Sequence, residues 1–193
     1  MIIDITQELF SCKVFPGDPA PQRQVLGSMA KGDLYNLTAF SMCAHNGTHV
    51  DAPAHFIADG RTLDQLPPEV FVGDCYVAQH TGEVTAQDMR NILEKARAVG
   101  AEKRILVAGK ATLTAEAARL LAAEKPLLYG NESQTVGPEN APMEVHKILL
   151  GADVALLEGV VLSAVEEGRY FLSAAPLNLG GCEGAPCRAV LVR

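Results

Sequence analysis

The chain has 193 residues, of which 48% are apolar and 5% aromatic, with no Trp and a formal charge of −7. That length predicts one domain, residues 1–193, with an aliphatic core, and an acidic chain without a Lys/Arg-rich run argues against nucleic acid or anionic membranes as partners. No apolar run nears the roughly 20 residues of a membrane helix, the start Met-Ile-Ile-Asp lacks the basic region of a signal peptide, and five scattered cysteines fit reduced, inert thiols, so a cytoplasmic protein is expected.

In chain order, short β-rich runs are read at 2–5, 70–77, 105–107, 127–129, 154–157 and 189–192. A first helix is predicted from Thr85, with Asp88 as its capping-box mate, Met89, Ile92, Leu93 and Ala96 at helical spacing, and Gly100 as the stop. A second starts at Thr114, has Glu116 in its first turn to favour the helix dipole, and ends before Pro126. A third, short helix opens at Pro142 and stops at Gly151. Strands separated by helices imply a mixed α/β domain. The Gly/Pro-rich stretches 16–21, 53–68 and 180–186 read as loops able to wall a pocket.

The most informative stretch is His45-Asn46-Gly47-Thr48-His49-Val50-Asp51-Ala52-Pro53-Ala54-His55-Phe56. Positions 45, 49, 51 and 55 share one parity, so an extended segment would place three imidazoles and a carboxylate on one face. Gly47 and Pro53 disfavour a helix here. Imidazole with carboxylate suits Zn, Mn or Fe, whereas Ca and Mg prefer oxygen shells. The bland alternative, a hydrogen-bond network, needs a partner for each of four neighbouring polar groups. Thr48 reads as a local hydrogen-bonding residue. His146, on the third helix, reads by itself as a solvated histidine. Glu158 ends an apolar run and must either reach solvent or find a cation.

The stretch 45–56 closely resembles the signature of the cyclase-like metal-dependent hydrolases, the family that includes bacterial kynurenine formamidase and isatin hydrolase. Asp4-Ile5-Thr6 with Val14-Phe15-Pro16-Gly17-Asp18-Pro19, Val145-His146-Lys147-Ile148-Leu149-Leu150 with Leu157-Glu158, Ala175-Pro176-Leu177, and Gly184-Ala185-Pro186-Cys187-Arg188-Ala189-Val190 resemble further blocks of that family. The resemblance implies a swivelling β/β/α fold with a partly barrel-like mixed sheet and flanking helices, assembled as a homodimer or larger homo-oligomer. It implies His45, His49 and Asp51 on one divalent metal, and Asp51, His146 and Glu158 on a second, with Asp51 bridging. His55 would move the proton, and Phe15 would face a small-molecule substrate. Zn is the first expectation and Mn the next. The chain departs from the family at 107–112, where Val-Ala-Gly-Lys-Ala-Thr stands in the region of a Thr-Gly-Trp stretch, and at Glu132, where a shorter acid is usual.

The reaction so implied is hydrolysis of an amide-type C–N bond, an N-formyl or cyclic amide, as in arylformamidases. Metal-dependent cyclisation or dehydration is the alternative within the family, and a metal-stabilised binding protein without turnover is the alternative outside it.

Overall fold

The computed structural model describes residues 1–193. The strands are β1 (Ile2–Asp4), β2 (Gln22–Gly27), β3 (Leu37–Ser41), β4 (His49–Asp51), β5 (Val72–Gln79), β6 (Gly82–Val84), β7 (Arg104–Ala108), β8 (Ala111–Leu113), β9 (Leu128–Asn131), β10 (Ala155–Glu158), β11 (Gly168–Ser173), β12 (Gly184–Pro186) and β13 (Val190–Val192). The helices are α1 (Ala86–Ala98), α2 (Ala115–Glu124) and α3 (Met143–Leu150).

All three helices lie where caps and periodicity put them. Thr85 Oγ1 accepts from the Asp88 amide at 3.2 Å while Asp88 Oδ2 accepts from the Thr85 amide at 2.9 Å, a reciprocal cap that starts α1. Met89, Ile92, Leu93 and Ala96 form its buried stripe. Thr114 Oγ1 accepts from the Ala117 amide at 3.2 Å to start α2. That helix stops at Lys125, whose φ of 51° is left-handed, one residue before Pro126.

Nine strands form one curled, half-barrel sheet in the order β1-β13-β11-β5-β7-β9-β10-β4-β12. Its centre, β5-β7-β9-β10, is parallel, because α1, α2 and α3 each carry the chain from one strand to the next. Parallel strands are covered on both faces and read as continuous apolar runs. Alternate residues accordingly enter two cores. Tyr76, Ile105, Val107 and Leu156 pack with the helices, whereas Cys75, Val77, Leu106 and Leu157 join Val50, Leu172 and Leu191 on the opposite face. A mixed α/β sheet with barrel-like curvature and flanking helices is therefore the architecture.

Several boundaries differ from the expectation. The strand read at 70–77 begins at Val72, because Pro67 and Pro68 tighten the preceding residues into the short 3₁₀ turn Pro68–Val70. Segment 180–186, read wholly as loop, ends in β12, an edge strand paired with β4. Strands β2 and β3 carry no buried alternation to announce them. β2 and β3 form a separate hairpin that leaves Val25, Leu26, Leu37 and Phe40 exposed.

Candidate metal centre

The four same-parity residues do converge, but not along one strand. Only His49–Asp51 is extended. His45 lies in the turn before it, where Gly47 takes a left-handed φ of 65°, and His55 ends the 3₁₀ turn Pro53–His55. The reading of one continuous extended segment is thus corrected: a turn, a short strand and a 3₁₀ turn fold the three histidines around Asp51. Pro53 sets the last bend, since its fixed φ suits the first position of a helical turn.

Tertiary pairing supplies the rest. β10 runs antiparallel to β4 with Glu158 opposite His49 and Leu156 opposite Asp51. Directly opposed residues share a face, and Leu156 marks it as the face under the helices. His146 of α3 comes down onto it. His146 and Glu158 are only 3% and 2% exposed, so the solvated reading of His146 is overturned and Glu158, left open by the sequence, does not reach solvent. Phe15 and Phe56 line the mouth of the same cavity, a space of about 210 Å³ that also meets His45, His49, His55, Gln134, His146 and Glu158.

Asp51, with no exposed surface, is the hub. His45 Nδ1 lies 2.9 Å from its Oδ1, His49 Nε2 lies 3.4 Å from the same oxygen, and His146 Nε2 lies 3.8 Å from Oδ2. Glu158 Oε1 accepts from the Val136 amide at 2.8 Å and meets His146 Nε2 at 3.1 Å, while Oε2 is 3.5 Å from His49 Nε2. Two backbone carbonyls orient the rings. His49 Nδ1 donates to Gly47 O at 3.0 Å, and His146 Nδ1 donates to Pro142 O at 2.9 Å. A carbonyl can only accept, so Nδ1 carries the hydrogen in both and Nε2 is the end turned to the carboxylates.

The electrostatics follow from this packing. Burial would raise the Asp51 pKa, but His45 and His49 hold its carboxyl well below the usual range. Burial opposes a charge on His49, yet Asp51 and Glu158 keep its pKa well above that of an ordinary imidazole; His45 and His146 are raised in the same way. His55 goes the other way, lowered by burial and by the neighbouring His45 and His146 against the pull of Asp51. It stacks on His45 with ring centroids 4.1 Å apart and meets Phe56 edge-on at 4.5 Å.

These groups fit a divalent cation. His49 Nε2 and Asp51 Oδ2 are buried without a hydrogen-bond partner, an arrangement proteins rarely leave uncompensated. Ligand atoms of His49, Asp51 and Glu158 lie within 4.8 Å of one another, as do those of His45, Asp51 and His55. Asp51 belongs to both groups.

Sequence reasoning missed Glu183, whose Oε1 is 3.1 Å from His45 Nε2, and Gln134, whose Nε2 donates to Gly47 O at 3.2 Å. Neither has a local signal: one acid among 23 and one amide become site residues only when distant strands pair. Thr48 hydrogen-bonds, but not locally: it braces distant segments, accepting from the Gln7 amide at 2.9 Å and donating to Gly159 O at 2.7 Å. The two departures at 107–112 and Glu132 meet each other instead of lining the cavity. Glu132 accepts from the Gly109 amide at 2.6 Å and the Leu162 amide at 2.7 Å. All five cysteines are free.

Residues 3–138 match the Cyclase family model, described as "Putative cyclase". The kynurenine formamidase of Erythrobacter litoralis is 31% identical over 200 residues, covering 98% of this chain and 93% of that protein. A solved potential metal-dependent hydrolase with cyclase activity is 28% identical, with a TM-score of 0.81 over 99% of this chain and 96% of its own. Isatin hydrolase A from Labrenzia aggregata shares the fold, with a TM-score of 0.83 at 23% identity over 99% of this chain and 93% of its own. With a family model matching residues 3–138, a relative 31% identical along 98% of the chain and a solved structure of the same fold, the chain belongs to the cyclase family of metal-dependent hydrolases.

Proposed function

We propose that the protein is a metal-dependent amidohydrolase that cleaves an N-formyl or cyclic amide C–N bond of a small molecule, in the manner of an arylformamidase. The carrying observation is the buried cluster around Asp51, with imidazole nitrogens turned toward two carboxylates and two polar atoms left without partners. The likeness to kynurenine formamidases along nearly the whole chain supports hydrolysis over the ring-closing and dehydrating alternative.

His45, His49 and Asp51 would hold one divalent ion, and Asp51, His146 and Glu158 a second, Zn first and Mn next. Bound there, such ions supply Lewis acidity and bring the pKa of water from 15.7 to about 7. The chain's own residues do the rest. His55 sits at the cavity wall against His45, where an imidazole takes the proton from the attacking water and returns it to the leaving nitrogen. Phe15 and Phe56 provide apolar faces that orient a flat substrate and displace water. A dry cavity of about 150 Å³ holds a benzene ring, so the 210 Å³ here suits a single-ring amide.

The exposed apolar residues of the β2–β3 hairpin support a homodimer or larger homo-oligomer, because an isolated two-stranded hairpin is marginal in water. The formal charge of −7 argues against nucleic acid or an anionic membrane surface as a partner. No helix is long and apolar enough to cross a membrane.

The test is elemental analysis of protein reconstituted with Zn or Mn, followed by mass spectrometry of formanilides and cyclic amides. One or two equivalents of metal are expected, with cyclic amides opened to products heavier by one water and formanilides split into formate and the free amine. A metal-loaded protein that consumes no amide refutes the hydrolase reading.

A further inference from the structure

His45 is held differently from the other ring ligands. His49 and His146 each anchor one ring nitrogen on a backbone carbonyl. Both nitrogens of His45 face carboxylates instead: Nδ1 to Asp51 Oδ1 at 2.9 Å and Nε2 to Glu183 Oε1 at 3.1 Å. Only Nδ1 points into the cluster, so Nε2–H is the anchoring end.

The anchor is built into β12. Its pairing sets Gly184 opposite Asp51, and the Ala52 amide donates to Glu183 O at 2.8 Å, which fixes the Glu183 backbone beside the metal strand. Gly184 makes room for the ring: a Cβ there would fall 2.8 Å from His45 Cε1 and 2.9 Å from Val50 O. Two adjacent residues thus cradle His45, one by its missing side chain and one by its carboxylate. The Glu183 side chain is 43% exposed and supports no buried core, which leaves the hydrogen bond to His45 as its structural contact.

We infer that Glu183 is a positioning residue that orients His45 through Nε2–H, leaves Nδ1 as the ligating nitrogen, and thereby sets metal affinity. The inference rests on the metal-binding reading of the Asp51 cluster. A carboxylate behind a ligating imidazole fixes its tautomer and ring plane and raises its basicity, and removing such a partner typically weakens metal binding by 10–100-fold.

The experiment compares wild type, Glu183→Ala and Glu183→Gln, each stripped of metal and titrated with Zn²⁺ and Mn²⁺ against a chromophoric chelator. Melting of the stripped forms runs alongside. Glu183→Ala is expected to lose about 10–100-fold in metal affinity at an unchanged melting temperature. Glu183→Gln, whose Oε1 still accepts from Nε2–H, is expected to stay within a few-fold of wild type. The Co²⁺-substituted proteins should show an altered visible absorption spectrum in the Ala variant alone. Unchanged affinity in Glu183→Ala while wild type binds metal overturns this inference and leaves the metal centre standing. Equal losses in both variants overturn the hydrogen-bond role. Failure of wild type to bind metal overturns the metal centre, and the inference with it.

Discussion

Replacing Asp51 by Asn tests the hub most directly. The substitution keeps the shape of a side chain with no exposed surface, so packing is retained and only charge and hydrogen-bond polarity change. Asp51 faces imidazole nitrogens of His45 at 2.9 Å, His49 at 3.4 Å and His146 at 3.8 Å. Two unit charges about 4 Å apart at an effective dielectric of about 20 attract by about 4 kcal/mol. A divalent ion carries twice the charge, so even half of the resulting attraction, about 4 kcal/mol, corresponds to roughly 10³-fold in affinity. Because Asp51 belongs to both groups of potential ligands, the Asn variant should lose that affinity for every ion bound, not for one of two. Elemental analysis after dialysis against a weak chelator reads the outcome. Full metal content refutes the hub, and loss of one equivalent out of two refutes the bridge while keeping a carboxylate ligand.

His55→Ala should retain metal and lose about 10²–10⁴-fold in kcat, the usual worth of a positioned acid–base group; an undiminished kcat removes His55 from the mechanism. Glu167 accepts from Lys95 Nζ at 2.8 Å and Tyr76 Oη at 2.9 Å, and the Lys95 contact, with the backbone and Tyr76 bonds, lowers its pKa below the ordinary glutamate value of 4.5 despite partial burial. A depressed carboxylate pKa stabilises the fold above about 4.5 and loses that contribution as pH falls through the folded value. The melting temperature should therefore drop on acidification below about pH 4.5, and Glu167→Gln should flatten that drop; an identical acid limb in the variant refutes the assignment. Burial pushes the Cys75 and Cys187 thiols up to about 12, so both should resist iodoacetamide at pH 8 in the folded protein and react only after denaturation. Peptide mapping that finds either alkylated under native conditions refutes the packing described.

What the sequence determined by itself is what short-range physics controls. α1 and α2 were legible because Thr85, Asp88 and Thr114 complete their caps within three residues, and the apolar stripe of α1 repeats within a turn. His45, His49, Asp51 and His55 were legible as a group because all four fall within eleven residues of chain. How they converge was not legible, since the parity of an extended strand gives way to a left-handed Gly47 and a 3₁₀ turn at Pro53. The hairpin β2–β3 escaped notice because its two faces are both exposed and leave no period-two pattern. His146 and Glu158 were placed by resemblance; their own neighbours in sequence favoured solvent for one and left the other open. Only the tertiary structure buried them, because the register of β10 on β4 puts Glu158 opposite His49 and α3 lowers His146 onto the same face. Glu183 reaches His45 from 138 residues away through the pairing of β12 with Asp51. Strand register is a property of the whole sheet, set by which apolar residues enter which core, and no local window of sequence contains it.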